Sequence, residues 1–173
     1  MSAEYYAIFK TSFGWCGIIY GNQGLIKIYL PGMKKEKLEK IIFFYNKNIV
    51  ERSGSIKILI KNICDYFKKN KARLGFPIDM RAMTDFEKKV YRQAMKIPFG
   101  KVKTYKWLAE KTGVPAGARA IGNVLGRNPV PLIIPCHRIV KSDGSLGGFS
   151  APGGILMKRK MLSIEGHANY PLT

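Results

Sequence analysis

The chain has 173 residues, of which 46% are hydrophobic and 24% charged, the composition of an ordinary globular protein of one domain or two small ones with a real core. Thirty Lys+Arg against eleven Asp+Glu give a net charge of +19, spread as +8 over residues 1–80 and +11 over residues 81–173. That balance points either to a polyanionic partner, most often nucleic acid, or to a merely lysine-rich solvated surface. No apolar run approaches the roughly 20 residues needed to span a bilayer. The N-terminus Met1-Ser2-Ala3-Glu4 lacks the basic flank and apolar core of a signal peptide. Three separated cysteines, Cys16, Cys64 and Cys136, form no disulfide framework and fit a reducing cytoplasmic compartment.

In chain order, Tyr5–Lys10, Trp15–Tyr20 and Leu25–Leu30 are rich in aromatic and β-branched residues and are separated by Gly14 and by Gly21-Asn22-Gln23-Gly24. They predict a meander of strands. Lys35–Asn46 and Ser55–Lys69 place apolar residues at spacings of three and four, and so predict two helices. Residues Arg73–Ile78 read as an extended linker or edge strand. The character changes near Met80, which divides the chain into an N-terminal domain, 1–80, and a C-terminal one, 81–173.

Thr84-Asp85-Phe86-Glu87 has the form of a capping box and predicts a helix that runs to Pro98 and Gly100. Thr104 caps a short helix, Tyr105–Lys111, and a further helix, Ala116–Gly126, follows Gly113 and Pro115. The pair is a candidate helix-turn-helix. Its second helix surrounds Arg119 with Ala118, Ala120 and Gly122, with Asn123 one turn on. Small residues of this kind allow close approach either to a DNA groove or to a packed neighbouring helix.

Next comes an apolar run, Val130–Ile134, that leads directly into Pro135-Cys136-His137-Arg138. Polar groups in a buried setting cost stability unless bonded or used. An imidazole and a cation beside a thiol are the usual means of lowering its pKa, so a nucleophilic Cys136 is expected. In a strand, neighbours point to opposite faces, so Cys136 and His137 cooperate only across a turn or through a water. Glu165, just before Gly166, either orients His137 in a Cys–water–His–Glu relay or is a solvated helix-terminal acid. Cys16 and Cys64 are assigned to the core. With two histidines and no matching spacing, no zinc site is expected. Leu146–Gly154 is a glycine-rich loop without a nucleotide-binding pattern, and a last helix is expected over Ile155–Glu165.

Taken together, Pro98–Tyr105, Ala118–Asn123, Arg127-Asn128-Pro129 and Ile134–Val140 resemble, in order and spacing, the O6-alkylguanine-DNA alkyltransferases (methylated-DNA–protein-cysteine methyltransferases). The resemblance runs from about residue 82 to residue 166. It implies an α/β (α+β) protein, with a ribonuclease-H-like strand-rich N-terminal domain and a helical, winged-helix-like C-terminal domain bearing the helix-turn-helix. It also implies double-stranded DNA containing O6-alkylguanine as the partner, no membrane, no cofactor and a monomer used once per lesion, with O4-alkylthymine as a further substrate. Cys136 would accept the alkyl group, and His137, backed by Glu165, would take the thiol proton through a water. Tyr105 would protonate N3 of the departing guanine, and Asn128 would brace the active-site turn. Arg119 would fill the base stack, with Tyr105, Ala118, Ala120, Gly122 and Asn123 along the DNA. The carbonyls of Cys136 and Ile139, with Ser150, would read the flipped base, and Phe149 would stack on it.

Two departures mark the loop: Phe149 stands where the family carries a tyrosine, and Ala151-Pro152 intervene before Gly153-Gly154. They bear on which alkyl groups fit. Two other classes of protein compete with this reading. A sensor of alkylated guanine would replace the acceptor cysteine, which Cys136 argues against. A Cys–His hydrolase would need an oxyanion hole that the sequence does not display.

Overall fold

The computed structural model describes residues 3–69, 72–167 and 170. It divides into two compact units, Met1–Met80 and Arg81–Thr173.

In the first unit, β1 (Glu4–Thr11), β2 (Gly14–Gly21) and β3 (Gly24–Met33) form the expected antiparallel meander. A two-residue strand, β4 (Val50–Glu51), adds parallel to β1, giving the order β3-β2-β1-β4. Beta-4 is too short to leave a signal in the sequence. Helix α1 (Lys35–Tyr45) lays Leu38 and Ile42 on Tyr6 and Ile19 of one sheet face. The approach is close, for a Cβ on Gly17 would sit 3.1 Å from the Leu38 side chain. Alternate residues of β2 point the other way, where the Tyr20 hydroxyl donates to the Arg52 carbonyl at 2.9 Å. Helix α2 (Lys57–Phe67) follows there with Leu59, Ile63, Tyr66 and Phe67 buried. It is shorter than the expected Ser55–Lys69, because its first turn, Gly54–Ile56, is a 3-10 turn. The extended segment after it returns to the sheet: Leu25 N–H donates to the Pro77 carbonyl, and Asp79 N–H donates to the Leu25 carbonyl, both at 2.8 Å. Both Cys16 and Cys64 lie in this unit; burial pushes both thiols up in pKa.

The second unit is mainly helical. Helix α3 (Asp85–Ala94) carries the full capping box: Thr84 Oγ1 accepts from Glu87 N–H at 3.2 Å, and Thr84 N–H donates to Glu87 Oε2 at 2.9 Å. Helix α4 (Tyr105–Lys111) is capped by Thr104, whose hydroxyl accepts from Trp107 N–H at 3.0 Å. Helix α5 (Ala118–Gly126) begins two residues later than the sequence predicts, because the turn after Pro115 closes first, by Gly117 N–H to the Val114 carbonyl. Helices α4 and α5 form the helix-turn-helix, and α3 packs behind it through the Tyr91 hydroxyl, which donates to the Val124 carbonyl at 2.9 Å.

Two short parallel strands that no alternation pattern announced, β5 (Lys103–Thr104) and β6 (Ile139–Val140), join the start of α4 to the segment after Cys136. The last helix, α6 (Gly154–Ile164), buries Met157, Lys158, Met161 and Leu162. Among the described residues no helix is long and apolar enough to cross a membrane.

Because the Thr84 side chain satisfies an otherwise open N–H of α3, Thr84→Ala is expected to lower stability by about 1 kcal/mol. The check is the midpoint of urea unfolding, with the slope of the transition unchanged.

Candidate active site

The apolar run 130–134 is buried throughout, and within it Leu132 takes a left-handed backbone at φ 76°. A side-chain-bearing residue holds that conformation only where its surroundings enforce it. The run then turns sharply. Residues Cys136–Arg138 form a 3-10 turn, closed by Arg138 N–H to the Pro135 carbonyl at 2.9 Å. The turn, rather than a strand, is what lets Cys136 line a cavity while its neighbour His137 is fully buried.

Behind the turn lies a single carboxylate with four donors. Glu165 Oε1 receives His137 Nε2 at 2.7 Å and Arg138 Nη2 at 3.0 Å. Oε2 receives Arg138 Nε at 2.8 Å and the Gly100 N–H at 3.1 Å. Arg138 Nη1 also donates to the Ile97 carbonyl at 2.7 Å. Glu165 is thus buried and bonded, not a solvated helix-terminal acid. Burial alone would raise its pKa, but the hydrogen bonds and charges of His137 and Arg138 outweigh this and hold it at about 2. For His137 burial prevails over the carboxylate and lowers the pKa, so the ring is neutral at neutral pH. With Nε2–H given to Glu165, Nδ1 is the basic nitrogen.

The thiol has other neighbours. Asn128 Nδ2 donates to Cys136 Sγ at 3.1 Å and to the Ile134 carbonyl at 2.9 Å, while its Oδ1 accepts from Val130 N–H at 3.0 Å. Burial pushes the Cys136 pKa up; the Asn128 bond and the Lys158 charge work against it. The expectation that adjacent imidazole and guanidinium lower this pKa is therefore corrected. The guanidinium is bound to Glu165, the imidazole is uncharged, and at rest the thiol keeps its proton.

Lys158 is the functional residue that sequence reasoning missed. It is fully buried on α6, its ammonium donating to the Ile139 and Leu146 carbonyls and lying 5.7 Å from the centre of the Tyr105 ring. Burial lowers its pKa to about 8. A signal existed, since Lys158 falls on the apolar face of its helix with Met157, Met161 and Leu162, but it sits in Lys158-Arg159-Lys160, which reads as a solvated basic run.

The cavity above Cys136 holds about 660 Å³. Tyr105, Ala118, Arg119, Gly122, Asn123, Phe149 and Ser150 line it, so most of the residues singled out in the sequence converge there. Lys106, Lys141 and Ser142 also line it, and no acidic side chain does. Gly147 has φ 68°, and a Cβ there would lie 3.0 Å from the Tyr105 hydroxyl and ring, so glycine is required for Tyr105 to stand where it does. Burial raises the pKa of Tyr105. Asn128, His137 and Glu165 stand behind the lining, and two of the residues expected along the DNA or around the base lie elsewhere. Ala120 is exposed on α5 off the cavity wall, and Ile139 is fully buried behind it, its carbonyl accepting from Lys158. Among the described residues no cluster of His, Cys, Asp and Glu could hold a metal ion.

The DNA-binding domain of 6-O-methylguanine DNA methyltransferase matches residues 85–167. A methylated-DNA–protein-cysteine methyltransferase of Sulfurisphaera tokodaii is 31% identical over 165 residues, covering 93% of this chain and 92% of that one. The chain belongs to this family. Its Mycobacterium tuberculosis relative is 34% identical over 112 residues, covering 65% of this chain and 66% of that one. The crystal structure of Mycobacterium tuberculosis OGT in complex with DNA matches with a TM-score of 0.77 at 25% identity, over 97% of this chain and 96% of that one. The O6-methylguanine-DNA methyltransferase of Pyrococcus kodakaraensis matches at 0.69 and 28%, over 93% and 99%. The mixed α/β architecture is that of these enzymes.

Removing the shared carboxylate charge would leave Arg138 buried and unpaired, so Glu165→Gln is expected to cost about 3 kcal/mol at pH 7. The Glu165 carboxyl is held below its unfolded value, so its stabilisation is complete above about pH 4.5 and is lost as pH falls toward 2. Urea unfolding of both proteins should accordingly show the gap narrowing below pH 4.5, and a gap constant with pH would contradict it.

Proposed function

We propose that this chain repairs DNA directly, taking the alkyl group from O6 of guanine onto Cys136 in a single turnover. The observation that carries the reading is the placement of one thiol, held by Asn128, at the wall of an open cavity with ample room for a base, with a neutral His137 braced by Glu165 next to it in the chain. The thiol proton passes through a water to His137 Nδ1, and the thiolate attacks the alkyl carbon. A C–S bond forms and the C–O bond breaks, with the electron pair going to the guanine ring. Tyr105 gives its proton to N3 of the leaving base, and the proton held by His137 balances the tyrosinate that results. Lys158, beside the Tyr105 ring, stabilises both anions in turn.

The step balances without a cofactor. The thioether is inert and nothing in the site offers it a nucleophile, so each molecule acts once, as a monomer in the cytoplasm. The same displacement suits O4-alkylthymine.

In a stacked duplex O6 is out of reach, so the base must be turned out, at a cost of a few kcal/mol. The small residues Ala118 and Gly122 let α5 approach the minor groove closely, with Asn123 beside them. Arg119, exposed on the cavity rim, enters the vacated stack and offsets part of that cost. The extruded base is read by the Cys136 carbonyl and by Ser150, with Phe149 stacking on it, while the Ile139 carbonyl, bound to Lys158 behind the wall, holds the site from behind. Lys106, Arg119 and Lys141 give the mouth a positive field that favours phosphates.

Incubation with duplex DNA containing O6-methylguanine should add one methyl group to the intact mass, mapping to Cys136 and absent in Cys136→Ala. Unmodified protein, or more than one turnover, would overturn the reading. Arg119→Ala should slow transfer from duplex DNA about ten- to a hundredfold, the size expected of a lost flipping aid. Transfer from free O6-methylguanine base should be unchanged, and equal losses on both substrates would remove the flipping role.

A further inference from the structure

Helix α3 carries a stripe that neither the catalytic site nor the helix itself uses. Lys88, Lys89, Arg92 and Lys96, with Asp85 and Gln93, border one concavity of about 630 Å³. Spacings of three and four place Asp85, Lys88, Lys89, Arg92 and Gln93 on one face of the helix, and Lys96 follows two residues past its end. Asp85 engages Lys88 at 3.4 Å. Among the described residues, no carboxylate lies within salt-bridge distance of Lys89, Arg92 or Lys96. Arg92 and Lys96, near the C-terminal end, suit the helix dipole. Lys88 and Lys89 lie in mid-helix, where it offers them nothing, and Lys88/Arg92 are like charges four residues apart, which works against the helix. An anion from outside is what would make this arrangement favourable.

The position of the stripe says which anion. Lys89 Nζ lies 3.4 Å from where a Cβ of Gly113 would be, so its ammonium sits over the turn between α4 and α5. From Gly113 to Ala118, at the start of α5, is five residues, a span of at most about 18 Å. One strand of B-DNA advances about 3.4 Å per phosphate, so the stripe is within about five phosphates of the helix that borders the cavity. Along α3, Lys89 to Arg92 covers about 4.5 Å at 1.5 Å per residue, and Lys96 follows two residues past the helix end on the same concavity, a row long enough for about two to three phosphates at 3.4 Å each.

We propose that this face of α3 is a second DNA contact, binding the phosphate backbone of the duplex flanking the nucleotide under repair. It rests on the DNA-repair reading above and extends it: α5 meets the lesion, and α3 holds the neighbouring backbone without regard to sequence.

The test is the salt dependence of binding to an undamaged labelled duplex, followed by fluorescence anisotropy with the full chain. Each phosphate contact contributes about 0.9 to the slope of log K against log salt. The triple variant Lys89→Gln/Arg92→Gln/Lys96→Gln should therefore flatten that slope by about 2.7, and Lys89→Gln alone by about 0.9. Methyl transfer from the free base should stay as in the wild type, and the melting temperature should not fall. Unchanged slopes in both variants would overturn the proposal, as would a loss of free-base transfer in place of a slope change. A wild type that acquires no methyl group on Cys136 would instead sink the repair reading, and the slope comparison would still decide whether α3 touches phosphate.

Discussion

The second unit turns on one buried carboxylate. Glu165 ends α6, His137 and Arg138 belong to the turn after the apolar run, and Gly100 closes the loop that follows α3. One side chain therefore ties three stretches far apart in sequence. Burying a charge is costly unless nearly all its lone pairs are used, and here four donors converge on two oxygens. The arrangement is all-or-none in character: a partial set would leave an arginine or a carboxylate uncompensated in a dry interior. It also fixes the tautomer of His137, because an ionised carboxylate can only accept.

The thiol is governed by a different balance. It is largely buried at the cavity wall, which favours its neutral form, and the groups that favour the anion, an amide from Asn128 and the charge of Lys158, do not prevail at rest. A permanently ionised thiol would be open to oxidation by any solute entering the cavity. A protonated one is activated only when a proton can be passed on at the moment of transfer. Lys158 serves the wall as well as the charge balance, since its two carbonyl bonds join the segment after Cys136 to the glycine-rich loop.

Much of the fold was legible because its signals are local. The capping box at Thr84, the cap at Thr104 and the three-and-four spacings in α1 and α2 depend on residues within a turn or two of one another. The late start of α5 and the 3-10 opening of α2 were not legible, because turn closure at Gly117 and Gly54 competes with helix in ways that composition does not reveal. Beta-4, β5 and β6 are two residues each, below the length at which alternation exists. They form only because a partner strand arrives from elsewhere.

For the site, the sequence by itself determined the cast: a cysteine, histidine and arginine in a row after a buried run, an acid near the end of the last helix, an asparagine just upstream, and a basic helix-turn-helix with small residues around Arg119. The tertiary structure decided how they divide the labour. Arg138 belongs to the carboxylate rather than to the thiol, Lys158 replaces it as the nearby cation, and Ile139 stands behind the cavity wall. The reason is physical. Residue types and local spacing are written along the chain, whereas which charge is desolvated, and by which partner it is met, depends on segments tens of residues apart being buried together.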